Sequence, residues 1–222
     1  MNIFIDITLK TLDFFYAVGF HNYGIAIILL TIAIKVALYP LTLQSTRQMS
    51  AMQKLQPKFD ELKKKHKETP DKFQKETMEL YKKHGVNPLG GCLPLLIQMP
   101  VFIALFMALT SQNFKSMLEA NPAAAQFLWI DNISLPDKIH ILNTGFYIPL
   151  LALLIGITTY WSQKTMPQAG GQDQMKQMMM IMPFFIAFIS IEFAAGVQIY
   201  WVVQNLLTVA QQMYIVSKHG KV

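Results

Sequence analysis

Residues 23–43 read YGIAIILLTIAIKVALYPLTL, a run of twenty-one residues with a single charge, Lys35, in its thirteenth position. A helix rises 1.5 Å per residue, so about twenty apolar residues cross a hydrocarbon core of roughly 30 Å. The run therefore reads as a membrane span, and four further apolar blocks follow at 92–112, 145–163, 178–193 and 196–216. Lipid offers no partner to a backbone amide, so each block must be helical or part of a closed barrel. Continuous apolar runs exclude the alternating pattern of barrel strands. The expected fold is all-α: a polytopic membrane protein with five transmembrane helices, a cytoplasmic helical hairpin and an N-terminal interfacial helix.

Composition agrees. Of the 222 residues 53% are hydrophobic and 14% charged, where a soluble domain carries about a quarter charged. Basic residues set the orientation, because short cytoplasmic loops are enriched in them. The segments 44–91, 164–177 and 217–222 together hold 15 Lys and Arg, against 3 in 1–22, 113–144 and 194–195. That places the N-terminus outside and the C-terminus in the cytoplasm, and it accounts for most of the net charge of +6. The run Lys63, Lys64, Lys65 and Lys67 lacks the aromatic and glycine pattern of an RNA module, so no specific nucleic acid is expected. Cys92 is the only cysteine, which excludes an internal disulfide framework. Residues 1–22 have no basic start, long apolar core or small-residue cleavage site, so they do not read as a removable signal. Ile3, Phe4, Ile7, Phe14, Phe15 and Val18 share one side of a helical wheel, with Asp6, Lys10 and Asp13 on another and Leu9 and Leu12 off the apolar side. The pattern predicts a short interfacial helix on the extracytoplasmic face.

The segment 44–91 predicts two helices. In the first, Met52, Leu55, Phe59 and Leu62 form one apolar stripe. In the second, Thr69 precedes Pro70 as an N-cap, and His84-Gly85 supplies a stop. The hairpin has too few apolar residues for a core of its own. Its stripe is expected to rest on the partner helix, on lipid, or on a transient client or targeting factor.

Polar residues inside the spans carry the functional signal. An ionisable group deep in a span costs about 2.5–3.5 kcal/mol on insertion scales and faces a bundle interior or a wet cavity. Thr31, Lys35 and Thr42 share one face of the first span. On the fifth, Gln198, Trp201, Asn205, Thr208 and Gln212 recur at intervals of three and four, and Tyr200, Gln204 and Gln211 widen the stripe. Gln98 adds an amide to the second span. No carboxylate lies at the depth of Lys35, so water around it is expected, in a hydrophilic groove formed by spans one, two and five. Met175, Met178, Met179, Met180 and Met182 offer an adaptable surface beside it.

The stretch Asn87-Pro88-Leu89-Gly90-Gly91-Cys92-Leu93-Pro94-Leu95-Leu96-Ile97-Gln98-Met99-Pro100 resembles the signature of the YidC/Oxa/Alb family of membrane protein insertases, in its short bacterial form. Tyr23-Gly24-Ile25, Tyr39-Pro40-Leu41-Thr42, Leu80-Tyr81-Lys82-Lys83-His84 and Tyr200-Trp201 before Asn205-Leu206 match the family's pattern in the same order, and the resemblance runs from about residue 10 onward. It implies a bacterial inner-membrane protein that inserts and helps fold clients through a cationic groove open to the cytoplasm. It implies no ATP, no cofactor and no metal, with nascent membrane proteins and the lipid bilayer as partners, joined by the Sec translocon, the ribosome and the signal recognition particle pathway. By resemblance, Thr31, Lys35 and Gln98 line the client-binding groove, and the spacing of the fifth span's polar stripe adds Gln198, Trp201 and Asn205 to it. Tyr200 and Trp201 are the client-contacting aromatics. Bacterial members usually have arginine where this chain has Lys35; arginine grips a carboxylate with two parallel bonds, while lysine is a point charge.

Two other classes compete. A small-solute or ion transporter would use a buried lysine as its site, yet the five spans show no inverted repeat. An enzyme is disfavoured because His21, His66, His84, His140 and His219 lie outside or at the edges of the spans, with no nucleophile or metal set beside them.

Overall fold

The run at 23–43 divides where its proline falls. Helix α2 (Tyr23–Ala37) ends at Leu38, and α3 (Tyr39–Lys54) starts one residue later with Pro40 in its first turn. Proline lacks an amide hydrogen and crowds the residue before it, so it opens a helix more readily than it continues one. The expected first span is thus two helices, with Lys35 in the last turn of α2. At its start α2 is capped by Asn22, whose side-chain oxygen accepts from the Ile25 amide at 3.1 Å.

The computed structural model describes residues 2–66, 69–87, 93–140, 146–166 and 173–219. Within these, α1 (Asn2–Val18) precedes α2, and α4 (Gln56–Lys65) and α5 (Pro70–Lys83) follow α3. Next come α6 (Leu93–Leu109), α7 (Gln112–Ala120) and the short α8 (Pro122–Ala125). A two-residue strand β1 (Ile139–His140) pairs antiparallel with β2 (Tyr147–Ile148), a small addition to the expected all-α fold. Then α9 (Leu150–Thr165), α10 (Asp173–Ser190) and α11 (Ala195–His219) complete the bundle. Helix α11 packs along α9 and α2, α9 also along α10, and α1 against α2 and α6.

Among the described residues no single helix is long and apolar enough to cross a membrane. Two bent pairs pass together: Ile5–Val18 with Tyr23–Ala37 at 111°, and Gln98–Leu109 with Gln112–Ala120 at 51°. The 25 residues of α11 reach about 37 Å, but its amides dilute its hydropathy.

The main core gathers Leu12, Ile27, Leu105, Leu109, Ile133 and Val197, with Phe114 and Leu118 from α7. Residues 113–144, expected as an extracytoplasmic loop, therefore contribute core helices rather than a loose connection. The sequence hides this because α7 has only nine residues, capped by Ser111, whose hydroxyl accepts from the Phe114 amide at 3.2 Å. Gly24 belongs to the same region: a Cβ there would run into the Phe127 ring, so only glycine lets the segment after α8 close on α2.

Helix α1 divides its apolar residues between two sides. Leu9 and Leu12 are buried against the bundle, while Ile7, Phe14 and Val18 from the predicted apolar side are exposed, the side an interfacial helix would turn to lipid. Against lipid the most apolar side can face outward, and the side with the better packing shape turns in.

The hairpin has its own small cluster of Met52, Leu55, Tyr81 and Val86, and Phe59 meets Phe73 edge-on at 5.1 Å. Three of the four stripe residues are buried there and Leu62 is half-buried, so the stripe rests on its partner helix rather than forming a free docking face. Helix α5 begins at Pro70 after Thr69, which makes no side-chain cap bond, and ends at His84 before Gly85, whose φ of +65° suits glycine. Near the connection between α4 and α5, His66 and Lys65 approach Glu76 at 3.0 and 3.5 Å. Desolvation pushes the Glu76 carboxyl up, but the bond and charge of His66 and the charge of Lys65 outweigh it and hold the group below its ordinary value.

Candidate functional site

Helix α11 carries polar residues on two sides. Toward α9, the Asn205 amide donates to the hydroxyls of Thr158 and Thr159 at 3.1 and 2.9 Å. Two turns later Gln212 accepts from Thr165 at 2.8 Å. Toward α2 and α6 a second set forms. The Lys35 ammonium donates to the Thr208 hydroxyl at 2.7 Å, and that hydroxyl donates to the Gln204 carbonyl at 2.7 Å. The Gln204 amide donates to Gln98 on α6, which in turn donates to the Tyr200 hydroxyl. Three helices thus meet in one polar seam whose only charge is Lys35.

Lys35 is half-buried and pairs with no carboxylate among the described residues. The buried side-chain oxygens of Gln198, Gln204 and Gln211 have no partner among the described residues. Buried acceptors normally find a donor, and of the three it is Gln204 whose amide belongs to the seam, so its oxygen leaves an acceptor there for water or a bound chain.

The sequence-predicted residues separate in three dimensions. Lys35, Gln98, Gln204 and Thr208 come together; Asn205 and Gln212 turn to α9. Thr31 is fully buried, and its hydroxyl donates to the Ile27 carbonyl at 2.6 Å within its own helix, so it does not open onto a groove. Gln198 is fully buried as well, donating to the Ser190 carbonyl and tying the start of α11 to the end of α10. Tyr200, expected as a client-contacting aromatic, is 2% exposed and faces the core through Gln98. Trp201 is half-buried against Phe102, ring centroids 5.1 Å apart, and Phe193. A stripe at helical spacing fixes only that residues share a side, and side chains 40° apart around α11 meet different neighbours.

The α9 threonines Thr158, Thr159 and Thr165 were not singled out by sequence. Their signal was present, since 158 and 165 are seven apart in an otherwise apolar run. In the methionine surface Met180 is exposed, Met179 and Met182 are half-buried, and the side chains of Met175 and Met178 lie outside the described residues, as does Cys92. No group of three or more His, Cys, Asp or Glu side chains is placed to hold a metal among the described residues.

Comparison with known proteins fits this arrangement. The family model for the 60Kd inner membrane protein matches residues 14–221. The chain is 44% identical over 215 residues to the membrane protein insertase YidC of Syntrophobacter fumaroxidans, covering 94% of this chain and 37% of the relative. It is 42% identical to the insertase YidC of Geotalea daltonii, over 93% of this chain and 36% of that protein. The chain thus spans little more than a third of the curated relatives it matches. A crystal structure of an active YidC insertase with its first transmembrane domain resolved superposes with a TM-score of 0.69 at 26% identity, over 94% of this chain and 45% of that one. An all-helical bundle of matching shape, a family match across almost every residue and identity above 40% point one way: the chain belongs to the YidC family of 60Kd inner membrane proteins.

Proposed function

We propose that this chain is a membrane protein insertase of the bacterial inner membrane, moving apolar segments of nascent proteins into lipid while the Lys35 seam receives their polar flanks. The observation that carries the reading is a half-buried cation, hydrogen-bonded to Thr208 and opposed by no carboxylate among the described residues, in one seam with a buried Gln204 oxygen lacking a donor. A helix bundle tolerates such a charge where water or polar groups reach it. Membership of the YidC family supports the same activity.

Energetics divide the work. A client's apolar segment gains about 25 cal/mol per Å2 on leaving water, so lipid supplies the driving force. The polar flank supplies the barrier, and a polar seam reaching partway across the bilayer shortens the apolar distance it must travel. No bond is made or broken. In this reading five spans cross the bilayer with the N-terminus outside, the 44–91 hairpin lies in the cytoplasm, and the Sec translocon, ribosome and signal recognition particle pathway deliver clients.

Reconstitution tests it. Lys35→Arg is expected to keep insertion of a client with an acidic translocated tail, whereas Lys35→Glu lowers it tenfold or more. Equal insertion by Lys35→Glu would remove the charge from the mechanism. Solute flux through the purified protein without any client insertion would replace the reading by a transporter.

A further inference from the structure

We propose that the cytoplasmic ends of α3, α9 and α11 form a binding site for the phosphate headgroup of an acidic phospholipid. A cavity of about 350 Å3 opens between them, lined by Ser50, Gln53 and Lys54 of α3, Lys164 and Thr165 of α9, and Val216 of α11. It is separate from the Lys35 seam.

Both lysines are exposed, and neither ammonium makes a hydrogen bond or ion pair among the described residues. Each ends its own helix, where a cation offsets the negative end of the helix dipole. That role needs no shared cavity, yet here two cations from distant parts of the sequence face one space, with the Ser50 hydroxyl and the Gln53 amide as further donors. Apolar tracks run up to it. On α9, Ile157, Trp161 and Lys164 fall four and three apart on one face, and Ile157 and Trp161 are exposed. On α11, Met213 and Val216 are exposed three apart. Acyl chains along these tracks bring a phosphate to the lysines, and an exposed Trp161 below them suits the headgroup boundary. Basic pockets between helices on the cytoplasmic side favour acidic headgroups for this reason. The site rests on the proposed topology, in which the apolar runs of α9 and α11 end at residues 163 and 216.

The test is lipid retention by the purified full chain in native mass spectrometry, with phosphatidylglycerol, phosphatidylcholine and inorganic phosphate as separate probes and no client present. The wild type is expected to hold one phosphatidylglycerol in preference to phosphatidylcholine. The pair Lys54→Gln/Lys164→Gln should weaken this roughly thirtyfold, from about fivefold per basic residue near an anionic surface. Lys54→Arg/Lys164→Arg should retain it, and Lys72→Gln/Lys75→Gln on α5, which removes equal charge elsewhere, should leave it unchanged. Wild-type retention by the glutamine pair, equal weakening by the α5 pair, or binding of phosphate without lipid preference would each overturn the proposal. Because no client is used, a failure here leaves the insertase reading standing, and a failure of insertion leaves this one standing.

Discussion

Along α11, the side toward α9 and the side toward α2 and α6 use the same chemistry of amides and hydroxyls. Toward α9, Asn205 and Gln212 each end on a threonine hydroxyl, so the set closes on itself. Toward α2 and α6, the chain of bonds through Gln98, Tyr200, Gln204 and Thr208 ends on a cation that, among the described residues, has no anion, and leaves the Gln204 oxygen without a donor there. Closed pairs between helices act as adhesive. An open set, holding a charge and a spare acceptor, has capacity for something else. Composition alone does not separate the two, and the neighbour each side meets does.

The largest expected effect on stability is at Gln98. Gln98→Leu strands the Tyr200 hydroxyl and the Gln204 amide, at about 2–3 kcal/mol in urea unfolding of the detergent-solubilised protein. Adding Tyr200→Phe and Gln204→Leu should recover most of that loss, since removing both partners of a buried bond is nearly neutral. Next comes Asn205→Ala, expected to cost about 1–2 kcal/mol while insertion per folded molecule stays unchanged. Thr208→Val should do the reverse, with a stability change under about 1 kcal/mol and a several-fold fall in insertion. The smallest is Thr165→Val, about 0.6 kcal/mol. If Asn205→Ala abolished insertion at full stability, or Thr208→Val left it intact, the division between adhesive and open sides would fail.

Lys35 and Gln98 were legible in the sequence because polar residues in apolar runs are costly, so each one kept there announces a role. Helix α5 was legible too, through Pro70 at its start and Gly85 just past its end. The wheel separated the two sides of α1 but did not show that Leu9 and Leu12, off its apolar side, are the residues that pack on the bundle. The burial of Tyr200 was not legible. Its role was taken from the family's pattern, which says nothing of packing, and only the position of Gln98 across the interface turns it inward. Core residues Phe114 and Leu118 escaped notice because a nine-residue amphipathic helix gives too short a pattern to stand out from a loop.

The sequence by itself determined that the chain is helical and that Lys35 is the single charge of its apolar run. Those follow from backbone hydrogen bonding in lipid and from the cost of burying charge, both of which act residue by residue. Which face each helix turns inward, which amide meets which hydroxyl, and which buried oxygens remain without a donor were decided only by the tertiary structure. Such pairings depend on helices many residues apart approaching within about 3 Å, and no local pattern encodes that distance.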